Sequence, residues 1–260
     1  MSVRASAVRS PLVIPAAVAV AILVVPLAAL LVRLDWASLP ADLRTAGAAE
    51  ALWLSLRTTL VTTLLCVALG TPLAWLLARA ESRWASLLRA LVTVPLVLPP
   101  VVGGVALLLT WGRLGLIGGP LDSWGITLPY NWIRVVIAET FVSLPFYVLA
   151  VEGAMAALDR RYDDIAATLG ASPARTFRTV AVPLVLPGIA SGATLAWARA
   201  LGEFGATITF AGSFPGMTQT APLAVYQALD VDQNAATALA SVMLVVCVAV
   251  LALLRGRWLR

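Results

Sequence analysis

Arg199 and Glu203 are the residues of this 260-residue chain whose types and spacing first suggest chemistry. They stand four apart in WARALGEFGATITFAG (197–212), so a helix puts both on one face, where they can pair. The stretch around them is apolar. An ionisable residue at membrane depth is costly, turns inward and marks a candidate functional site. A structural ion pair that fixes helix packing uses the same residues, and both readings stay open. Thr194, Thr207 and Thr209 on the same stretch can add hydroxyls to a polar stripe or bond between helices. Other chemistries lack their reagents. No histidine occurs, which removes His acid–base pairs, His metal ligands and Ser-His-Asp triads. Cys66 and Cys247 lie inside apolar runs and read as small buried hydrophobes, not as a disulfide or redox motif. A nucleotide-binding P-loop needs a lysine, and all the basic residues here are arginine. No catalytic residue, no metal site and no cofactor are therefore expected in this chain.

A second set of charges lies in DDIAATLGASPARTFRTVAVPLVLPGI (163–189). Asp159, Asp163 and Asp164 form an acidic first turn that suits a helix N-terminus. Ile165, Ala166, Ala167 and Leu169 continue the helix until Gly170 interrupts it. After Ala171, Ser172 and Pro173 read as the N-cap and first-turn proline of a second short helix. Phe177 and Val180 would give that helix an apolar face, and Arg175 and Arg178 a basic one. Pro183 and Pro187 punctuate the entry to the next apolar run. The expected shape is a helix–glycine turn–helix elbow whose apolar side has no partner within the loop and is suited to docking into another protein. The alternative is an amphipathic helix lying on the membrane surface. Asp163 and Asp164 argue against contact with anionic lipid.

The elements that must position these residues are apolar. Hydrophobic residues make up 61% of the chain and charged ones 12%, which places it in the membrane class. A span takes roughly 20 apolar residues, so about six fit, with no separate soluble domain. The expected spans are 12–33, 51–78, 90–111, 132–156, 184–211 and 236–254. Arginine sets their direction. Arg4, Arg9, Arg79, Arg83, Arg89, Arg160, Arg161, Arg175, Arg178, Arg255, Arg257 and Arg260 fall on one side of a six-span layout. Arg33, Arg44, Arg113 and Arg134 fall on the other. Both termini and the 157–183 connection are therefore expected in the cytoplasm, and the 213–234 loop outside. The basic excess sits at the ends of apolar runs, which writes topology rather than a nucleic-acid face. Arg4 and Arg9 before an apolar stretch also resemble a signal peptide, but the run is long and lacks a convincing cleavage site, which favours a retained first helix.

Two spans are irregular. TVPLVLPPVVGGVALLLTWG (93–112) carries Pro95, Pro99, Pro100, Gly103 and Gly104, which kink or break a helix. Freed backbone groups need partners in protein or in a water-filled cavity. The segment is thus a path-lining element or a kinked packing helix. Gly188 and Gly192 make a small-xxx-small pair in the fifth span, suited to packing within the chain or against another subunit.

These residues carry a resemblance. The stretch Asp164-Ile165-Ala166, then Gly170, then Val180-Ala181-Val182-Pro183 is similar to the cytoplasmic loop of permease subunits in binding-protein-dependent ABC importers. Asp stands here for the usual Glu, and Ile165 for an alanine. PLVLPPVVGGVALLLTWGRLG (95–115) and ARALGEFGATITFAGSFPGMTQTAPLAVY (198–226) narrow the likeness to the molybdate permease group, with sulfate, thiosulfate and tungstate permeases as close alternatives. The resemblance covers most of residues 50–255. It implies an all-α integral membrane protein of about six transmembrane helices, the type I ABC importer permease fold, as one domain over 1–260 with a coupling loop at about 157–183. It implies ATPase coupling through Asp163, Asp164, Ala166, Gly170, Ala171, Ser172, Phe177 and Pro183. Pro99, Pro100, Thr194, Arg199, Glu203 and Thr207 are the candidates for the translocation path. Two copies of an ATPase subunit would bind the ATP and Mg, a second copy of this chain would complete the path, and an extracytoplasmic oxyanion-binding protein would deliver the ion. The protein would sit in the plasma membrane in contact with lipid and with no nucleic-acid partner. An ion-coupled secondary transporter lacks support here: there is no histidine and no obvious internal duplication. A membrane-embedded enzyme lacks paired carboxylates or a metal-ligand cluster.

Overall fold

The computed structural model describes residues 13–258 except Ala46, Thr127 and Pro129, with side chains described for that set apart from Thr45 and 253–258. Arg4, Arg9 and Arg260 lie outside the described residues, as do the side chains of Arg255 and Arg257. Every regular element among the described residues is helical. In chain order these are α1 (Val13–Val32), α2 (Leu39–Thr45), α3 (Ala48–Arg79), α4 (Arg83–Val97), α5 (Pro100–Trp111), α6 (Gly118–Ser123) and α7 (Trp132–Ala156). Then come α8 (Arg161–Thr168), α9 (Pro173–Thr176), a wide π turn (Phe177–Ala181), α10 (Val182–Leu184), α11 (Leu186–Leu201), α12 (Gly205–Phe210), α13 (Ala221–Val231) and α14 (Gln233–Trp258).

Among the described residues, four helices are long and apolar enough to cross a membrane: α1, α3, α7 and the Gln233–Ala252 part of α14. Two more spans exist only as bent pairs. The α4–α5 pair is bent by 115°, and the Pro173–Leu184 and Leu186–Leu201 segments by 76°. The expected spans at 12–33, 51–78, 132–156 and 236–254 correspond to α1, α3, α7 and α14. The other two expectations are corrected. The third span is folded back at Leu98–Pro99, and the fifth stops at Leu201 and restarts at Gly205 as α12. The 213–234 stretch, expected as a loop, holds a helix of its own, α13.

The core is the contact of α3, α7 and α11. Cys66, Ala74 and Leu77 of α3 pack with Tyr147, Val148, Val151 and Met155 of α7 and with Ile189 and Ala196 of α11. Small residues let the backbones approach. A Cβ on Gly70 would strike the Tyr147 ring, and one on Gly192 would come within 3.0 Å of the Val151 side chain. A Cβ on Gly188 would collide with Ala154. Gly188 and Gly192 thus serve packing within the chain. Tyr147 is buried, and its hydroxyl pairs with that of Thr71 at 2.6 Å, leaving neither polar group stranded. Cys66 is buried and free; Cys247 is half-buried and free. By contrast, α1 buries none of its residues.

Candidate functional site

Two regions gather the singled-out residues. The first is the elbow. Just ahead of α8, Asp159 Oδ1 accepts from the Arg161 backbone N–H at 2.9 Å and shapes the turn into the helix. The helix ends in a paired turn: Ala171 N–H donates to the Ala166 carbonyl and Gly170 N–H to that of Ala167, both at 2.9 Å. This Schellman arrangement needs a left-handed residue after the helix, and Gly170 supplies it with φ +76°. Ser172 then caps α9 through the Arg175 N–H at 3.4 Å, with Pro173 in the first turn. The chain widens into the π turn just before Pro183. Proline has no N–H and its ring clashes with the carbonyl four residues back. The wide turn answers this with a five-residue bond, Val182 N–H to the Phe177 carbonyl.

The elbow is tied to the end of α3. Arg79 Nε lies 2.8 Å from Asp163 Oδ2, and Arg160 Nη1 lies 2.6 Å from Glu81 Oε1. The Phe177 ring packs on Trp75 at 5.3 Å between centroids. This corrects the expected apolar face. Phe177 is turned inward and Val180 is half-buried, because α9 lasts one turn before the π turn rotates the residues beyond it. The exposed apolar ridge belongs instead to α8 and its end: Tyr162, Ile165 and Leu169. Their spacing of three and four places them on one face. Asp164, Gly170, Ser172 and Pro183 are exposed, Ala171 is half-buried, and Ala166 is buried.

The second region is where the two broken spans meet. Pro99 caps α5 and Pro100 is its first residue. Gly205, the first residue of α12, lies against Pro100, where a Cβ would sit 2.9 Å from the proline Cβ. Gly104 of α5 faces α12 with similar closeness: a Cβ there would sit 2.7 Å from the Thr209 Cβ and 2.9 Å from the Ala206 carbonyl oxygen. Glu203 stands in the gap between α11 and α12 and is 2% exposed. Its Oε2 lies 2.7 Å from Arg199 Nη2, and its Oε1 accepts the Ala206 N–H at 2.7 Å. One carboxylate thus pairs with a cation and closes the start of a new helix. The expected shared helical face is therefore only half realised: the pair forms, but Glu203 is beyond the last turn of α11. Arg199 also lies over the Phe146 ring at 5.9 Å. Thr207 is buried, and its hydroxyl has no partner among the described residues. Thr194 is half-buried on α11, its hydroxyl donating to the Ala190 carbonyl at 2.9 Å.

Sequence reasoning missed three features. Glu139 lies in the middle of α7, 1% exposed, and accepts from Thr58 and Thr62 of α3 at 2.9 Å each. A single carboxylate inside an apolar run was the available signal. Arg134, counted as a loop arginine, is buried in the first turn of α7. It lies 3.5 Å from the Tyr130 ring centroid and donates to the Leu128 carbonyl at 3.0 Å. Arg89 pairs with Glu152 at 2.6 Å and donates to the Leu77 carbonyl, joining α4, α7 and α3. No local pattern announces that last link.

Chemically, the elbow offers an apolar ridge flanked by charges of both signs, Asp164 with Arg161, Arg175 and Arg178, at one end of the bundle. The junction offers irregular backbone, a half-exposed guanidinium and buried hydroxyls, the ingredients of a polar passage through an apolar body.

Residues 70–259 match the family described as "Binding-protein-dependent transport system inner membrane component", and the chain belongs to that family. Among the most similar curated proteins is the molybdenum transport system permease protein ModB of Mycobacterium tuberculosis. It is 48% identical over 233 residues, which span 90% of this chain and 88% of the relative. ModB of Escherichia coli K12 is 40% identical over 211 residues, 81% of this chain and 92% of the relative. The sulfate transport system permease protein CysT of Salmonella typhimurium is 33% identical over 227 residues, 86% and 82%. Among solved structures, a bacterial ABC transporter involved in importing the acidic polysaccharide alginate superposes with a TM-score of 0.67 at 14% identity, covering 81% of this chain and 78% of that one. An amino acid ABC transporter gives 0.57 at 18% identity, covering 86% and 98%. These two share the fold, that of ABC importer permeases.

Proposed function

We propose that this chain is the membrane-spanning permease subunit of an ATP-driven importer, and that its cargo is molybdate handed over by an extracytoplasmic binding protein. The observation that carries the reading is the elbow. A Gly170 turn presents Tyr162, Ile165, Leu169 and Asp164 outward at one end of a helical bundle, in a chain without the lysine of a P-loop. The molybdate assignment is supported by the 48% identity to a molybdenum permease, against 33% for a sulfate permease. In this reading two copies of the chain frame the path. Two ATPase subunits hold the ATP and Mg and clasp the two elbows. The elbow and both termini face the cytoplasm of a plasma membrane.

The junction of the broken spans is the path. A passing dianion competes with Glu203 for Arg199. A guanidinium already paired attracts the anion without trapping it, and conduction needs sites an ion can leave. Pro99, Pro100 and Thr207 border that point, and Thr194 lies further back along α11.

The test is ATP-dependent uptake of radiolabelled molybdate into vesicles holding the permease, its ATPase and its binding protein, with and without excess sulfate. Uptake that needs ATP and survives sulfate is expected. Uptake abolished by sulfate would move the cargo to the sulfate class, and uptake without any ATPase would overturn the importer reading altogether.

A further inference from the structure

The elbow is joined to the membrane helices by two routes. One is covalent and runs through the π turn and α10 into α11. The other is non-covalent and runs sideways into α3. The covalent route contains two irregular points, the widened turn at Phe177–Ala181 and the 76° bend at Val185, where one helical segment ends and the next begins. The sideways route contains no bend of that kind. Trp75 and Arg79 lie one turn apart on α3 and grip Phe177 and Asp163, while Glu81, just past the helix end, holds Arg160. The Arg79–Asp163 pair is the half-sheltered one, with side chains 16% and 29% exposed. From there α3 runs as one helix, through Pro72, to its other end. Along the way Thr71 bonds Tyr147, and Thr58 and Thr62 bond Glu139. Near the far end Ser55 Oγ accepts the Ala221 N–H at 2.7 Å, at the start of α13.

We infer that Arg79, paired with Asp163, is a positioning residue that makes the elbow and α3 one moving body, so that α3 takes up the elbow's displacement. This rests on the importer reading. The α11 connection is then a hinge, and the far end of α3 passes movement to α13 through Ser55.

The test uses the whole complex with its ATPase and binding protein. In a background where Cys66→Ala and Cys247→Ala support uptake, Arg79→Cys and Asp163→Cys are introduced together. With the thiols free, uptake per ATP hydrolysed is expected to fall at least about five-fold, the lower range of a coupling interaction. A short thiol-bridging reagent is expected to restore it. A purely structural pair would not show that recovery, since bridging would leave the ratio where the free thiols put it. The bridging yield is also expected to be equal in nucleotide-free and ATP-bound complexes. The inference is overturned if bridging blocks residual uptake, if the free-thiol complex transports as well as its background, or if the yield vanishes in one nucleotide state. A native complex that shows no ATP-dependent oxyanion uptake would instead sink the importer reading, and the bridging yield would still judge the joint.

Discussion

Two arginine–carboxylate pairs of almost equal length sit in very different surroundings. Arg199 meets Glu203 at 2.7 Å and Arg79 meets Asp163 at 2.8 Å. The Glu203 side chain is 1% exposed, whereas that of Asp163 is 29% exposed. Geometry alone would rank the pairs together. Burial separates them, because a carboxylate removed from water depends on its partner far more than one that water still reaches. The junction pair therefore holds the fold at a point where two helices are broken. The elbow pair holds two elements in register and contributes little to stability.

Breaking each pair in turn sharpens that contrast. Arg199→Leu leaves Glu203 buried without its cation and is expected to cost about 3–5 kcal/mol, read as a large fall in thermal stability of the purified protein. The double change Arg199→Leu with Glu203→Leu is expected to recover most of that loss; if it does not, the buried charge is not what the single change exposes. Glu139→Ala leaves the Thr58 and Thr62 hydroxyls only their longer bonds to the Ser55 and Val136 carbonyls, 3.3 and 3.5 Å, at a cost of about 1–2 kcal/mol by the same measurement, while Glu139→Gln keeps an acceptor and is expected to cost less. At the elbow, Gly170→Val forces a branched side chain into a left-handed turn, worth about 1–2 kcal/mol. Here the sharper readout is loss of ATPase co-purification with the mutant permease. Arg79→Gln is expected to change stability by no more than about 1 kcal/mol. A melting shift as large as that of Arg199→Leu would erase the distinction between the two pairs.

The same contrast explains what the sequence made legible. The elbow is written in local rules. Gly170 meets a left-handed position, Ser172 and Pro173 begin a helix, and the acidic residues gather at a helix start, each within a few residues of its effect. What failed there was the face of the second helix, since nothing local announces that α9 gives way to a wide turn ahead of Pro183. The uninterrupted spans were legible from apolar length alone. The junction was only half legible. Pro99 and Pro100 signalled a break, but its partner is Gly205, far along the chain, and the glycine of a small-residue contact looks the same whether it packs or turns. Glu139 depends on Thr58 and Thr62, 81 and 77 residues away. Its own position inside α7 was visible; what it bonds to was not. Arg134 misled for a related reason: a charge at the edge of an apolar run writes topology until aromatic rings close over it.

The length of α3, one helix despite Pro72 in its interior, has one further consequence. At about 1.5 Å per residue its 32 residues make a rod of about 48 Å, well beyond the roughly 30 Å of a bilayer's oily interior. A rod of that size is a lever: leaning it by only about 5° about one tip sweeps the opposite tip through about 4 Å. On the importer reading, a lean taken up at the end holding Trp75 and Arg79 is thus felt as a side-chain-sized displacement at the end beyond Ser55.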